Sequence, residues 1–275
     1  MLFRSAPLPG VEWAVSKAGD AKSLARACEG CDAVMYLAGI IAEVGAQTYD
    51  RVHREGVANL LEAARMTGIG RWVQMSALGT RPDAHSAYHR SKWAGEAAVR
   101  ASGLSWTIHR PSLIHGDGDG FLGFFERLSR WSPVLPLMGR PDALFQPVWV
   151  GDVAEAFART LEKVVSVGRT YDLCGPDRWT MRGMLELLLR TTGSKRWLLR
   201  VPWPVAWCQA WAAEQVFARF LGRTPPLCRD QVRMLDEDNV GDPGPATRDL
   251  GIHFSGMEEH LRGRWPRRVE TFFNS

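Results

Sequence analysis

The sequence predicts an α/β fold, a doubly wound parallel sheet flanked by helices, and three observations carry that prediction. Short apolar runs alternate with longer stretches of helical period, in the order β-α-β-α-β-α-β, through about residue 116. The helical stretches close on glycines, at Gly30, Gly68 and Gly103, where a positive φ ends a helix cheaply. The chain has 275 residues, 45% hydrophobic and 23% charged, which is long enough to bury a full core.

Taken in order, "VEWAV" (11–15) reads as a strand, and "DAKSLARACEG" as a helix with Asp20 at its N-cap and Gly30 just past its end. "DAVMYLAG" (32–39) is a buried strand running into a glycine turn. "TYDRVHREGVANLLEAARMTG" is a helix of several turns closing at Gly68. "RWVQMSALG" (71–79) is a strand, "SAYHRSKWAGEAAVRASG" (86–103) a helix ended by Gly103, and "SWTIHRPSLIHG" (105–116) a strand that becomes a loop. Beyond residue 120 the regularity fades. "WSPVLPLMGRP" is proline-rich and looped, and "ALFQPVWVGDVAEAFARTLEKV" returns to strand then helix, with Asp152 as the expected cap. After residue 175 the pattern is helix-rich with proline breaks. The expected division is therefore a sheet domain over 1–175 and a small helix-rich lobe over 176–275. Ligands on parallel sheets bind at the carboxyl ends of the strands. That gives weight to Ala38, Gly39, Ser76, Pro111 and Ser112.

Bulk properties exclude several classes. The net charge is +4 with dispersed basic residues, so nothing calls for nucleic acid. Five cysteines without a secretory leader at the N-terminus point to a reducing, cytoplasmic compartment with free thiols. Cys28 and Cys31 form a C-x-x-C pair, but no second pair or nearby His completes a metal site, so it reads as a turn. No stretch reaches the ~18 uninterrupted apolar residues of a spanning helix. The nearest, 201–222, is broken by Gln209, Glu214, Gln215 and Arg219.

"HGDGDGFLGFF" (115–125) contains G-x-G-x-x-G, the pattern of a dinucleotide loop. Such a loop needs a second strand ending in an acid ~20 residues on. "WSPVLPLMGRPD" (131–142) is not that strand, so the expectation is a glycine loop at the strand ends rather than a nucleotide cradle.

The chemistry is expected elsewhere. Tyr88 and Lys92 are four apart on a predicted helix and share a face. A nearby ammonium favours the phenolate, so Lys92 should lower the Tyr88 pKa. Ser76 closes the preceding strand and can donate to a substrate carbonyl. Ser, Tyr and Lys in this order form a proton-transfer set suited to hydride chemistry.

With "GDAKSL", "DAVMYLAG", "GVANLLEAA", "MSALG", "YHRSK", "HRPSLIHG" and "FQPVWVGDVAEAF" in family order, the chain resembles the extended, NAD-dependent epimerase/dehydratase-like type of short-chain dehydrogenase/reductase, a Rossmann-like fold. "AGIIAEVGAQTYDRVHREG", "SALGTRPDA", "RPSLIHGDGDGFL" and "DQVRMLDEDNV" resemble more narrowly the branch that contains the nucleotide-binding accessory subunit of respiratory complex I. The resemblance implies an NAD or NADP cofactor and residue roles. Tyr88 would be the acid/base, Lys92 would hold the nicotinamide ribose, and Ser76 would orient substrate. Asp20 would lie near the adenine, Ala38 and Gly39 along the cofactor, and Pro111 and Ser112 by the nicotinamide. Arg4 falls where an arginine can meet a 2′-phosphate. The sequence departs from the family in showing no opening strand and G-x-x-G-x-x-G turn, and "MLFRS" resembles the end of the second strand. His53 stands where many members carry Asn, and it reads as an exposed helix residue.

In the second lobe Trp203, Trp207 and Trp211 line one helical face, which either packs on the core or meets a membrane surface or partner. Arg262, Arg264, Arg267 and Arg268 around Trp265 would add attraction to anionic lipid, or lie on a solvated terminal helix. Two functions follow. One is an NAD(P)-dependent oxidoreductase or epimerase-like enzyme acting on a small molecule. The other is a non-catalytic nucleotide-binding accessory or assembly protein of a membrane respiratory complex, cytoplasmic and peripheral at the inner membrane.

Overall fold

The structure, a computed structural model, describes residues 10–14 and 19–264, apart from the side chain of Arg264. Arg4, Trp265, Arg267 and Arg268 lie outside the described residues, as does the rest of "MLFRS". Residues 11–14 are exposed and outside any strand, because no described segment offers them a hydrogen-bonding ladder.

The first helix, α1 (Ala21–Cys28), is capped as its sequence dictates. The Asp20 carboxylate accepts from the amides of Lys22 at 3.1 Å and Ser23 at 3.3 Å, and Gly30 takes φ 76° beyond the end. Cys28 is the last helical residue, with Cys31 exposed in the turn that follows. Strand β1 (Ala33–Tyr36) stops before Leu37, and Ala38 and Gly39 are exposed. A π-helical segment (Asp50–Glu55) leads into α2 (Gly56–Met66). Strand β2 (Arg71–Met75), α3 (Ala87–Arg100) and β3 (Ser105–Pro111) complete the regular part.

Downstream lie β4 (Ile114–His115), α4 (Leu122–Trp131), β5 (Val134–Leu137), β6 (Leu144–Phe145), β7 (Val148–Trp149), α5 (Val150–Glu162) and β8 (Arg169–Leu173). They are followed by β9 (Trp179–Thr180), α6 (Met181–Thr191), β10 (Trp197–Arg200) and α7 (Trp203–Ala213). Then come α8 (Arg229–Met234), α9 (Gly244–Leu250) and α10 (Met257–Arg264).

The main sheet has the order β1-β2-β3-β8, with every pairing parallel. Central strands of such a sheet are covered on both faces, and β2 and β3 bury Trp72, Val73 and Ile108 completely. On one face, Val57, Leu61 and Ala64 of α2 and Val99 of α3 pack with Trp72 and Ile108. On the other, Val153, Ala156 and Phe157 of α5 and Leu250 of α9 pack with Val73, Tyr171 and Leu173. A separate apolar cluster joins Leu122 and Phe125 of α4, Met184, Leu185 and Leu188 of α6, and Met257 and Leu261 of α10.

One helix start differs in detail from expectation, and a second bears on the glycine loop. Asp152 sits in the first turn of α5, not at its N-cap, and its carboxylate accepts instead from the Ser255 amide at 2.8 Å and the Ser255 hydroxyl at 3.3 Å. This carboxylate ties the start of α5 to the distant segment before α10. In the glycine loop, Asp119 Oδ1 accepts from the Gly123 amide at 3.1 Å. A carboxylate thus sits among the N-terminal donors of α4, the place a pyrophosphate would need.

Helix α3 crosses the π-helical segment at Gly95. A Cβ there would lie 2.4 Å from the backbone oxygen of His53. Gly95→Ala is therefore expected to destabilise the fold by about 1–3 kcal/mol, although alanine is the better helix former. The shift of the urea midpoint measures it, and an unchanged or raised midpoint would show that the two segments can part freely.

Candidate functional site

Parallel pairing continues past the strand ends. The Ser76 amide donates to His109 O at 2.7 Å, the Leu78 amide to Pro111 O at 2.9 Å, and the Ser112 amide to Leu173 O at 2.9 Å. This lines up Ser76, Pro111 and Ser112 along one carboxyl edge of the sheet.

Helix α3 starts over that edge. Ser86 caps it by accepting from the His89 amide at 3.1 Å. The carboxylate of Asp230, in α8, accepts from the amides of Ala87 at 2.9 Å and Tyr88 at 2.7 Å. A far segment of the chain thus supplies the negative charge that a helix N-terminus favours, and fixes the turn that carries Tyr88. Sequence reasoning gave Asp230 no role, and no local signal marks it.

One turn on, Lys92 is 4% exposed. Its Nζ donates to Met75 O at 3.3 Å and stands 5.9 Å from the centroid of the Tyr88 ring. A Cβ on Gly39 would lie 3.0 Å from the same Nζ. The structure therefore brings Gly39, Tyr88 and Lys92 together at the ends of β1 and β2. The Ser76 hydroxyl turns to the Thr80 hydroxyl at 3.4 Å, and the Ser112 hydroxyl is hydrogen-bonded to the Asn239 side chain. Asn239 also donates its amide to Leu78 O at 3.2 Å, so it bridges the loops after β2 and β3. Asp20 is exposed at the start of α1 and is held by its own capping bonds.

Burial dominates the electrostatics. It pushes the Tyr88 phenol up to about 12, so the lowering expected from Lys92 is not realised. Burial also draws Lys92 down to about 8, against the opposing pull of Glu96. Glu96, completely buried, holds Arg100 and Arg110 at 2.7 Å each behind the site.

His53 is the clearest correction. It is 1% exposed, not a surface residue. Its Nε2 accepts the Ile40 N–H at 3.1 Å, which places the ring proton on Nδ1. That proton goes to Ser91 Oγ at 2.8 Å, and the Ser91 hydroxyl donates in turn to Tyr88 O at 2.7 Å. Burial and the Lys92 charge bring His53 down to about 3, so it stays neutral. The imidazole pins the turn after Gly39 beside Lys92. A reading at 3.6 residues per turn misplaces it because the segment is π-helical. The cause is local: the Tyr36 hydroxyl donates to Val52 O at 2.6 Å, and the Gly56 amide bonds to Arg51 O.

A dinucleotide laid over strand ends needs a close backbone approach and a cation. Gly39 provides the first, since a side chain there would fill the space against Lys92. Lys92 provides the second, an ammonium with three donors and one carbonyl partner among the described residues. The residues present fit such a group. Among the described residues no cluster of His, Cys, Asp and Glu is arranged to hold a metal, and no helix is long and apolar enough to cross a membrane.

Residues 4–123 match the family model described as NAD(P)H-binding, and residues 79–209 match that of the RmlD substrate binding domain. Two curated relatives are close. The chain is 32% identical to "NADH dehydrogenase [ubiquinone] 1 alpha subcomplex subunit 9, mitochondrial" of Arabidopsis thaliana, over 72% of this chain and 49% of that protein. It is 33% identical to the ceramide reductase of Caulobacter vibrioides, over 70% of this chain and 61% of that protein. The chain thus spans about half to three-fifths of the length of these relatives. Among solved structures, a nucleoside-diphosphate-sugar epimerase from Staphylococcus aureus superposes with TM-score 0.71 at 14% identity, covering 90% of this chain and 81% of that one. An NADPH-dependent quinone oxidoreductase from Escherichia coli gives TM-score 0.69 at 16% identity, covering 91% and 82%. At these identities the structures speak for the fold alone.

Proposed function

Because the chain belongs to the NAD(P)-binding, NAD-dependent epimerase/dehydratase-like Rossmann family, we propose that it binds NAD or NADP across the carboxyl ends of its sheet and acts as a reductase or epimerase-like enzyme. The observation that carries this is the convergence of Gly39, Tyr88 and Lys92. In this reading residues 1–175 form the nucleotide domain, and 176–275 form a lobe that closes over the substrate.

When bound, the dinucleotide would supply or accept the hydride. Lys92 holds the nicotinamide ribose, Ala38 and Gly39 let the cofactor backbone pass, and Pro111 and Ser112 flank the nicotinamide. Asp20 would lie towards the adenine, and Arg4 would meet a 2′-phosphate. Ser76 orients the substrate oxygen once its bond to Thr80 is exchanged. Tyr88, a phenol with its proton held through neutral pH, donates that proton to the oxygen of a carbonyl as it is reduced.

Tyr88→Phe tests the reading. It is expected to leave NADH or NADPH affinity within about twofold and to lower turnover by about 10²–10⁴. Fluorescence titration and a panel of carbonyl substrates measure the two effects. Full turnover by the variant removes Tyr88 from the chemistry.

The mitochondrial relatives favour a second reading, a non-catalytic accessory or assembly protein peripheral to a membrane respiratory complex. It predicts dinucleotide binding without turnover and co-purification with membranes. That outcome would replace the first reading.

A further inference from the structure

Helix α7 (Trp203–Ala213) carries no charged residue, yet Ala206 and Ala210 are its only buried positions. Those two alanines pack with Val232 of α8. The tryptophans, read as a core face or as an interface, divide between the two: Trp207 is partly buried and packs with these small residues, while Trp203 and Trp211 are exposed. A helix apolar on nearly every side is normally enclosed. Here it is not.

The apolar surface continues beyond α7 in both directions. Phe220, at the end of the π-helical segment that follows, is 78% exposed. Before α7, Trp197 and Leu199 stand on one face of β10, and Trp197 is 79% exposed. The Trp197 amide donates to Pro133 O at 2.9 Å, so Trp131 lies only two residues along the chain from the segment that Trp197 pairs with. Trp131 is 89% exposed. Exposed Lys195 and Arg200 stand on either side of Trp197 and Leu199 in the chain, and exposed Arg219 and Arg223 on either side of Phe220, none in an ion pair among the described residues. The acids nearby are engaged: Glu126 pairs with Arg130 at 2.6 Å and Glu214 with Arg229 at 2.8 Å.

We infer that this apolar face is a docking surface for an anionic lipid bilayer, with the indoles at headgroup depth and the flanking cations on lipid phosphates. Aromatic side chains flanked in the chain by basic ones match the layering of a bilayer interface. A second copy of the same surface fits poorly, because the basic side chains of both copies would face each other. The inference stands apart from the dinucleotide site and survives its failure.

Co-sedimentation of the full chain with vesicles tests it, using phosphatidylcholine with or without phosphatidylglycerol. Binding is expected with the anionic vesicles and about tenfold weaker with pure phosphatidylcholine or in high salt. A Trp131→Ser/Trp197→Ser double variant, and separately Lys195→Glu/Arg200→Glu, should each weaken binding by about tenfold or more. NADH titration of the same samples should be unchanged by either pair, which separates this result from the site's own. Three outcomes overturn the inference: a chain that stays in the supernatant with both vesicle types, a dimer that the tryptophan variant dissociates, or a protein partner lost in that variant while vesicles remain unbound.

Discussion

Lowering the pH from 7 to 5 is expected to remove about 6 kcal/mol from the stability of this fold, about 2 from each of three buried histidines. His53, His89 and His109 are 1%, 4% and 0% exposed. Burial brings them down to about 3, about 4 and about 3. Each folded value lies below the unfolded one of about 6.5, so below that pH the unfolded chain takes up protons that the folded chain refuses. Their contribution is full above pH 6.5 and is lost steadily as the pH falls, to about 4 for His89 and about 3 for His53 and His109.

The geometry explains the refusal. His53 Nε2 already accepts an amide, so a proton there would set donor against donor. Thr160 gives its hydrogen to Ala156 O at 2.7 Å, so His109 Nε2 donates to Thr160 Oγ at 2.8 Å, and His109 Nδ1 is left without a hydrogen-bond partner among the described residues. His89 Nε2 is likewise without one. Asp172, whose carboxyl burial holds above its ordinary value, works in the opposite direction.

Set against the 5–15 kcal/mol typical of a domain, a loss of about 6 moves the chain close to unfolding. Urea titrations at pH 7, 6 and 5 measure the loss. His109→Leu fills the space between Phe157 and Tyr171 without a titrating group, and should reduce the loss between pH 7 and 5 by about 2 kcal/mol. A midpoint that stays flat from pH 7 to 5 would mean that these rings are reached by water.

The same residues show which parts of the molecule could be read in advance. Three of the main sheet's four strands could, because β1, β2, β3 and the helices between them announce themselves through their own period and ends: Asp20 before α1, and Gly30, Gly68 and Gly103 after α1, α2 and α3; β8 is not announced in this way, and "VEWAV" is not a strand over its described residues. Tyr88 and Lys92 could, because helical spacing alone puts them on one face. The rest depends on contacts that the local sequence does not encode. Asp230 reaches the start of α3 across 142 residues, and Asn239 reaches Ser112 across 127. His53 was misplaced because Tyr36 takes a carbonyl from the helix and changes its period. In α7 the tryptophans stand out at helical spacing, whereas the close approach of α8 selects the small residues and, of the tryptophans, only Trp207 packs with them. The phenol's pKa also ran against the simple rule. Pairing with a cation and desolvation pull oppositely, and only burial, invisible in the sequence, decides between them.

Replacing Lys92 with Met is expected to strengthen the fold and weaken dinucleotide binding at once. Burial holds this lysine at about 8 in the folded chain, against 10.5 for an unburied one. A folded value below the unfolded one means that the charged amine opposes folding. The opposition is full at pH 7 and disappears as the pH rises from 8 to 10.5. The gap corresponds to about 3 kcal/mol. Met fills a similar volume without the charge, so it should recover up to that amount, less about 1 kcal/mol for the lost bond to Met75 O. The unaltered chain should also grow more stable between pH 8 and 10.5, and the variant should not. Affinity for NADH or NADPH should fall about tenfold or more, equivalent to at least about 1.4 kcal/mol. A residue that opposes the fold yet sits against Gly39 and Tyr88 is best understood as kept for its ligand, since such trade-offs concentrate where proteins work. If the variant proves less stable and binds the dinucleotide as before, Lys92 is a structural strut, and the site must be sought elsewhere along the sheet.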